Sequence, residues 1–212
     1  MGMKASSSSV CRAFRASLTI LVLALLLGTG ATRALAGNVL ERFLPEVAAS
    51  DLVPGATGYG AIREDMPVAP VLKNGERIAW AYITTDFVST IGYSGKPIHV
   101  LVAVDDDATI VGAELVEQSE PIILIGIPNS EMVELTEGYV GTDLAREATE
   151  RGTAHELEII SGATVTVMVM DDSILRSGVK VARALGLGGL PRPRTPARRS
   201  RSPPKPRWPP TG

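Results

Sequence analysis

The stretch Ile98-His99-Val100-Leu101-Val102-Ala103-Val104 runs into Asp105-Asp106-Asp107 and then into Ile110-Val111-Gly112-Ala113-Glu114-Leu115-Val116. Two β-branched, apolar runs on either side of a short polar cluster read as a β-hairpin. Upstream, Glu76 to Thr85 (ERIAWAYITT) alternates apolar and polar residues in part and reads as a further strand. Val53 to Pro70 is rich in Gly and Pro and reads as loop, and Asn38 to Leu44 reads as a short amphipathic helix stopped by Pro45. Downstream, Pro121 to Pro128 (PIILIGIP) is apolar but bracketed by prolines, which suits an edge or a lining segment better than a central strand. Glu131 to Leu135 and Thr142 to Arg151 read as short helices.

The last structured unit is a short strand, Glu156 to Ile160, then the turn Ser161-Gly162-Ala163-Thr164, then a helix from about Val165 to Leu185. Val167, Met170, Ile174, Val181 and Leu185 recur at helical spacing with Gly178 on the same stripe, and Gly186, Gly188, Gly189 and Pro191 end the pattern. The sum is an α+β fold: a small antiparallel sheet packed with helices.

With 212 residues, 45% of them apolar, the chain supports one core. Aromatic residues make up only 4%, which argues against a stacking platform for single-stranded nucleic acid and against a carbohydrate cleft. The formal net charge of -2 conceals an asymmetry: residues 37–190 hold ten basic against 23 acidic residues, while both ends hold basic residues only. So acidic a body repels phosphate backbones and anionic lipid and favours cationic partners.

Lys4, Arg12 and Arg15 precede the apolar run Leu18 to Leu27, and Ala34-Leu35-Ala36 supplies a small-x-small site, so residues 1–36 read as an export signal cleaved before Gly37. The single cysteine, Cys11, would leave with it, and the mature chain would have no disulfide, thiolate or Cys-held metal. At the other end residues 191–212 hold eight prolines and seven Lys/Arg, a composition that reads as disordered. That tail reads equally as a polyproline ligand, a basic tether or a segment with no selected role.

Motif searches exclude more than they find. Neither Gly55 to Gly60 nor Gly186 to Gly189 sits between a strand and a helix as a dinucleotide fingerprint requires, and the sequence has no Walker A, G-x-S-x-G or H-E-x-x-H pattern. Asp105-Asp106-Asp107 lacks the spread of ligands of a calcium loop and reads as a solvated turn. His99 and His155 stand alone and read as surface or satisfied positions; Ser177 and Lys180 match S-x-x-K without its partner motifs. No metal site is expected. What remains is the strand, small-residue turn and helix start at Ser161 to Thr166, a generic anion site because first-turn N-H groups lack helical partners and carry the positive end of the helix dipole.

Ser161-Gly162-Ala163-Thr164-Val165-Thr166 resembles the S-G-A-T-x-T flavinylation motif of FMN-binding domains. Together with Ser89 to Val104 and Ile110 to Pro128 it resembles the N-terminal periplasmic domain of the NosR/NirI family of flavoproteins, over roughly Gly37 to Leu190. The resemblance implies covalent FMN on Thr166 through a phosphoester, attached by a separate flavin transferase with FAD as donor. It implies that Ser161, Gly162, Ala163 and Thr164 shape the phosphate turn, and that Tyr93, Lys96 and Glu120 line the isoalloxazine, surface or packing roles being the alternative for these three. Gln118 and Ser119 stand where the family often has histidine.

The function so implied is periplasmic electron transfer in support of nitrous oxide reduction, between membrane electron donors and nitrous oxide reductase, by a component rather than an independent enzyme. No nucleic acid partner is expected. Family members continue into transmembrane helices and an iron-sulfur region, whereas this sequence enters the Pro/Arg tail near Leu190, as a fragment or frameshifted product would; membrane association would then need that further region or an uncleaved signal. The alternatives are a flavin-free scaffold, assembly or regulatory module for the same reductase system, and a chain left inactive without its donor domain.

Overall fold

A computed structural model describes residues 38–126, 128–150 and 163–193. The framework is a five-stranded meander, β1 (Gly58–Tyr59), β2 (Ala69–Lys73), β3 (Glu76–Ile83), β4 (His99–Val104) and β5 (Ile110–Glu117), with every strand antiparallel to its neighbour in the order β1-β2-β3-β4-β5. Six helices accompany it among the described residues: α1 (Val39–Phe43), α2 (Ala49–Leu52), α3 (Pro121–Gly126), α4 (Asn129–Glu137), α5 (Leu144–Glu150) and the long α6 (Thr164–Leu185). The fold is therefore α+β, an antiparallel sheet packed with helices.

Both hairpins follow from local chemistry. Asn74 (φ 53°) and Gly75 (φ 87°) both take the left-handed conformation that a two-residue hairpin turn matching the strand twist requires, and Lys73 pairs with Glu76 across it. Between β4 and β5, Asp105 Oδ1 accepts the Asp107 amide at 3.0 Å and the Thr109 amide at 2.8 Å, while Asp106 pairs with Arg77 at 2.7 Å. The aspartate run is a turn that folds on itself.

Sheet alternation divides the interior. Val100, Val102 and Val104 join Tyr82 and Ile110 on one face, under Val167, Met170, Ile174 and Val181 of α6. Leu101 and Ala103 join Val71, Ala79, Ala81 and Ile83 on the other, under Leu40, Phe43 and Leu52 of the N-terminal helices. With helices on both faces, all six residues of β4 are buried, which is why its sequence is continuously apolar instead of alternating. The α1 N-terminus is tied back to the sheet side by Asp86, whose carboxylate accepts the amides of Val39 at 2.9 Å and Leu40 at 3.0 Å.

Two sequence readings need correction. Pro121 to Gly126 is helical: a proline at the first helical position gives up an N-H that has no partner there and brings a φ suited to the helix. The span from Val53 to Pro70 holds more than loop, since Gly58–Tyr59 forms β1 and Ala69–Pro70 opens β2; Pro70 keeps its carbonyl, which accepts the Gly60 amide at 2.8 Å. The helices read at Asn38 to Leu44, Glu131 to Leu135, Thr142 to Arg151 and Val165 to Leu185 match α1, α4, α5 and α6, and Gly186 ends α6 at φ 74°. The strand read at Glu156 to Ile160, residues 1–36 and residues 194–212 lie outside the described residues.

The closest approach between sheet and helix is at Gly112, where a Cβ would lie 2.0 Å from the Leu52 carbonyl oxygen. Gly112→Ala should therefore displace α2 and lower stability by about 1–3 kcal/mol. Gly58→Ala, which meets nothing within 4 Å, should change it far less in the same urea titration.

Candidate functional site

The site starts from helical periodicity. Thr164 and Val165 face outward, and Thr166 comes next on the buried stripe that continues through Met170, Ser173, Ser177 and Val181; its relative exposure is 1%. The first intrahelical bond runs from the Val167 amide to the Ala163 carbonyl at 3.0 Å, so Thr166 belongs to the first turn, where amides have no helical acceptor.

A carboxylate meets that hydroxyl. Glu120 ends the link between β5 and α3, its amide held by Gln118 Oε1 at 2.6 Å and its carbonyl accepting the Ile123 amide at 3.1 Å. Its fully buried side chain accepts three hydrogen bonds: from the Tyr93 amide at 3.0 Å and Thr166 Oγ1 at 3.0 Å on Oε2, and from the Ser94 amide at 3.1 Å on Oε1. The two amides converge because the segment around them turns tightly, with the Gly92 amide donating to the Lys96 carbonyl at 2.9 Å and the Gly95 amide to that of Gly92 at 3.1 Å. A Cβ at position 92 would lie 2.1 Å from Glu120 Oε1, so a larger residue there would push the carboxylate from its place. Burial alone would raise the Glu120 pKa; the hydrogen bonds from Ser94, Thr166 and Tyr93 outweigh it and hold the carboxyl below its usual value.

The same loop is fastened to α6 at two further points. Thr90 Oγ1 hydrogen-bonds Ser173 Oγ, and Lys180 Nζ donates to the Phe87 carbonyl at 2.9 Å. Phe87 meets Lys180 and Thr90 meets Ser173 directly, and Tyr93 and Thr166 meet through Glu120, so the contacts step by three residues along the loop and by seven along the helix. Three residues of extended chain and seven of helix both advance about 10 Å, so the segment runs antiparallel along one helix face. Sequence reasoning missed Gly92, Thr90 and Ser173 and set Lys180 aside with Ser177; the seven-residue recurrence of Thr166, Ser173 and Lys180 along α6, the first two buried and the third exposed, is the signal for the helix side alone.

The sequence candidates divide accordingly. Glu120, Thr166 and the Tyr93 amide are brought together. Tyr93 is 80% exposed; Ile91, two residues before it, and Val165 and Met168, within two residues of Thr166, are exposed apolar side chains as well. Lys96 is exposed and contributes through its backbone, Ala163 is buried and Thr164 exposed. Ser161 and Gly162 lie outside the described residues. His99 is a satisfied residue: its Nδ1 shares a 2.6 Å hydrogen bond with Thr85 Oγ1, its ring packs on Phe43, and burial lowers its pKa against the opposing pull of Glu117. Two surface grooves, between α5 and α6 and along β5 beside α4, include neither Glu120 nor Thr166.

Residues 92–176, from the loop glycine to the middle of α6, match the FMN-binding domain family. The chain carries an FMN-binding domain. It is 38% identical over 149 residues to Protein NirI of Paracoccus denitrificans, covering 68% of this chain and 21% of that protein. It is 32% identical over 148 residues to Regulatory protein NosR of Stutzerimonas stutzeri (66% of this chain, 20% of that protein) and 34% identical over 142 residues to NosR of Pseudomonas aeruginosa (65% and 20%). The chain thus spans about a fifth of the length of these curated relatives. The FMN-binding domain contains Gly92, Glu120 and Thr166 together. Among the described residues no helix is long and apolar enough to cross a membrane.

Thr166→Val keeps the shape of the side chain and removes one donor from a buried carboxylate, which should cost about 1–3 kcal/mol at neutral pH. Because the folded pKa of Glu120 lies below its ordinary 4.5, its contribution is present above that value and fades as pH falls through the lower folded one. Urea unfolding of wild type and variant should therefore show a gap at neutral pH that narrows on acidification below 4.5.

Proposed function

We propose that the protein is a periplasmic electron carrier whose FMN is joined to Thr166 by a phosphoester, and that it supports nitrous oxide reduction. The observation that carries this reading is a hydroxyl in the first turn of a 22-residue helix, within the matched domain, aligned by a buried carboxylate. The residues fit the group. Unpaired first-turn amides and the helix dipole favour a phosphate on Thr166. Ile91 and Tyr93 on the loop and Val165 and Met168 on the helix are exposed apolar side chains that a flat ring could cover, so a covalent tether would replace a deep pocket. When bound, the flavin supplies one- and two-electron chemistry; the chain supplies attachment, orientation and charge.

In this reading Ala163 and Thr164, with Ser161 and Gly162 before them, shape the turn around the phosphate. The Tyr93 side chain and Lys96 face the ring, while Glu120 acts at the attachment point. Residues 1–36 direct export and are removed, and residues 37–190 form the flavin domain. A flavin transferase using FAD loads the protein, membrane donors reduce it, and nitrous oxide reductase is the acceptor. The names NosR and NirI on relatives matched over two thirds of this chain support the assignment to that system. One observation favours a flavin-free regulatory or assembly module instead: the Thr166 hydroxyl is covered.

Co-expression with an exported flavin transferase separates the two readings. The exported protein should be yellow and gain the mass of FMN less water, and Thr166→Ala should gain nothing. An unmodified wild type under those conditions favours the flavin-free module.

A further inference from the structure

Glu120 meets the Thr166 hydroxyl directly, and that geometry gives it a task at the attachment point. Its carboxylate is buried, ionised and shared between a loop and the one hydroxyl that the attachment chemistry uses. A buried carboxylate satisfied by backbone amides alone needs no threonine. Here Oε2 accepts Thr166 Oγ1 at 3.0 Å, which sets the direction of the O-H bond and leaves the oxygen lone pairs pointing away from Glu120. The two loop amides fix the carboxylate in turn, and Gly92 is the opening that lets it lie against the backbone.

We propose that Glu120 orients the Thr166 hydroxyl for esterification and accepts its proton. This rests on the reading of Thr166 as the flavin-bearing residue. Thr166 Oγ1 attacks the flavin-side phosphorus of FAD; an Oγ1–P bond forms, and the P–O bond to AMP breaks with AMP keeping the bridging oxygen and the electron pair. The hydroxyl proton passes to Glu120 Oε2 and on to solvent, and no atom changes oxidation state. The hydrogen bonds that hold the Glu120 pKa down keep the carboxylate charged and in place as an acceptor for the hydroxyl, while making it a weaker base. Once the ester has formed, Thr166 has no proton to donate, and among the described residues Glu120 keeps its hydrogen bonds from Tyr93 and Ser94. The hydroxyl bond therefore belongs to the unloaded protein. Since that hydroxyl is 1% exposed, the transferase must act while its cover is displaced, and a hydroxyl already oriented by a fixed carboxylate shortens the search for a productive geometry.

The test is the initial rate of FMN incorporation into purified full-length chain, followed by intact mass, with purified flavin transferase and FAD, as a function of acceptor concentration. Glu120→Gln keeps the length of the side chain and loses its charge; Glu120→Asp keeps the charge and falls one methylene short of Thr166. Each should lower the saturating loading rate by about 100-fold with little change in the acceptor KM, at a melting temperature that shows the chain folded. A purely structural role would instead lower the melting temperature and raise KM. If either variant melts as a folded protein and loads at the wild-type saturating rate, the positioning role is overturned while the Thr166 reading stands. If Glu120→Gln does not fold, Glu120→Asp carries the same test. Failure of the wild type itself to gain mass overturns both readings, whereas loading of wild type but not of Thr166→Ala, with slow loading of the Glu120 variants, supports both.

Discussion

A carboxylate without solvent must find donors for its lone pairs, and Glu120 finds them in two separate parts of the chain. The Tyr93 and Ser94 amides come from the segment leading into β4, and the Thr166 hydroxyl from the first turn of α6. Satisfying one charge thus brings the loop and the helix start into a single arrangement. Leaving any of the three donors out would leave a buried charge underpaired, at a cost larger than an ordinary surface contact could offset. Ser173 with Thr90 and Lys180 with Phe87 continue the same seam, so the loop is fastened at intervals along the helix.

The rest of the fold serves that seam. The meander puts β4 in the interior, buried on both faces, and β4 emerges directly from the loop that carries the two amides. Helix α6 packs across the sheet through Val167, Met170, Ile174 and Val181, which holds Thr166 at a fixed height at one end. The opposite face is closed by α1 and α2, where Gly112 lets the Leu52 carbonyl approach the sheet. Residues 37–190 carry 23 acidic against ten basic residues, and four apolar side chains close in sequence to Tyr93 and Thr166 are exposed. The charge suits a cationic partner, and the exposed Ile91, Tyr93, Val165 and Met168 suit a flat aromatic group.

Much of this is legible from local pattern. The β4–β5 hairpin follows from two β-branched runs around an aspartate turn, and α6 from five apolar positions at helical spacing ended by glycine. Reading PIILIGIP as an edge segment of the sheet fails at Pro121 to Gly126 because prolines exclude central strands and yet are welcome at a helix start, a choice that depends on which amides need partners. Strand β2 is obscured by Pro70, although the Asn74-Gly75 pair that follows is a hairpin turn written in the sequence. At the site, Thr166 and Glu120 are legible one at a time. Their contact spans 46 residues and has no local signature, and Gly92 is needed only because of where the Glu120 carboxylate comes to lie.

The sequence by itself determined the elements, the acidic character of the body and the threonine in a first helical turn, because propensity, charge and periodicity are local properties that survive without a partner. Tertiary structure alone decided that Glu120 points at that threonine and not at solvent, and that residues 87, 90 and 93 march along α6 in step with 180, 173 and 166. Those relations arise from burying one charge between distant segments, and the cost of leaving it unpaired is what selects the arrangement.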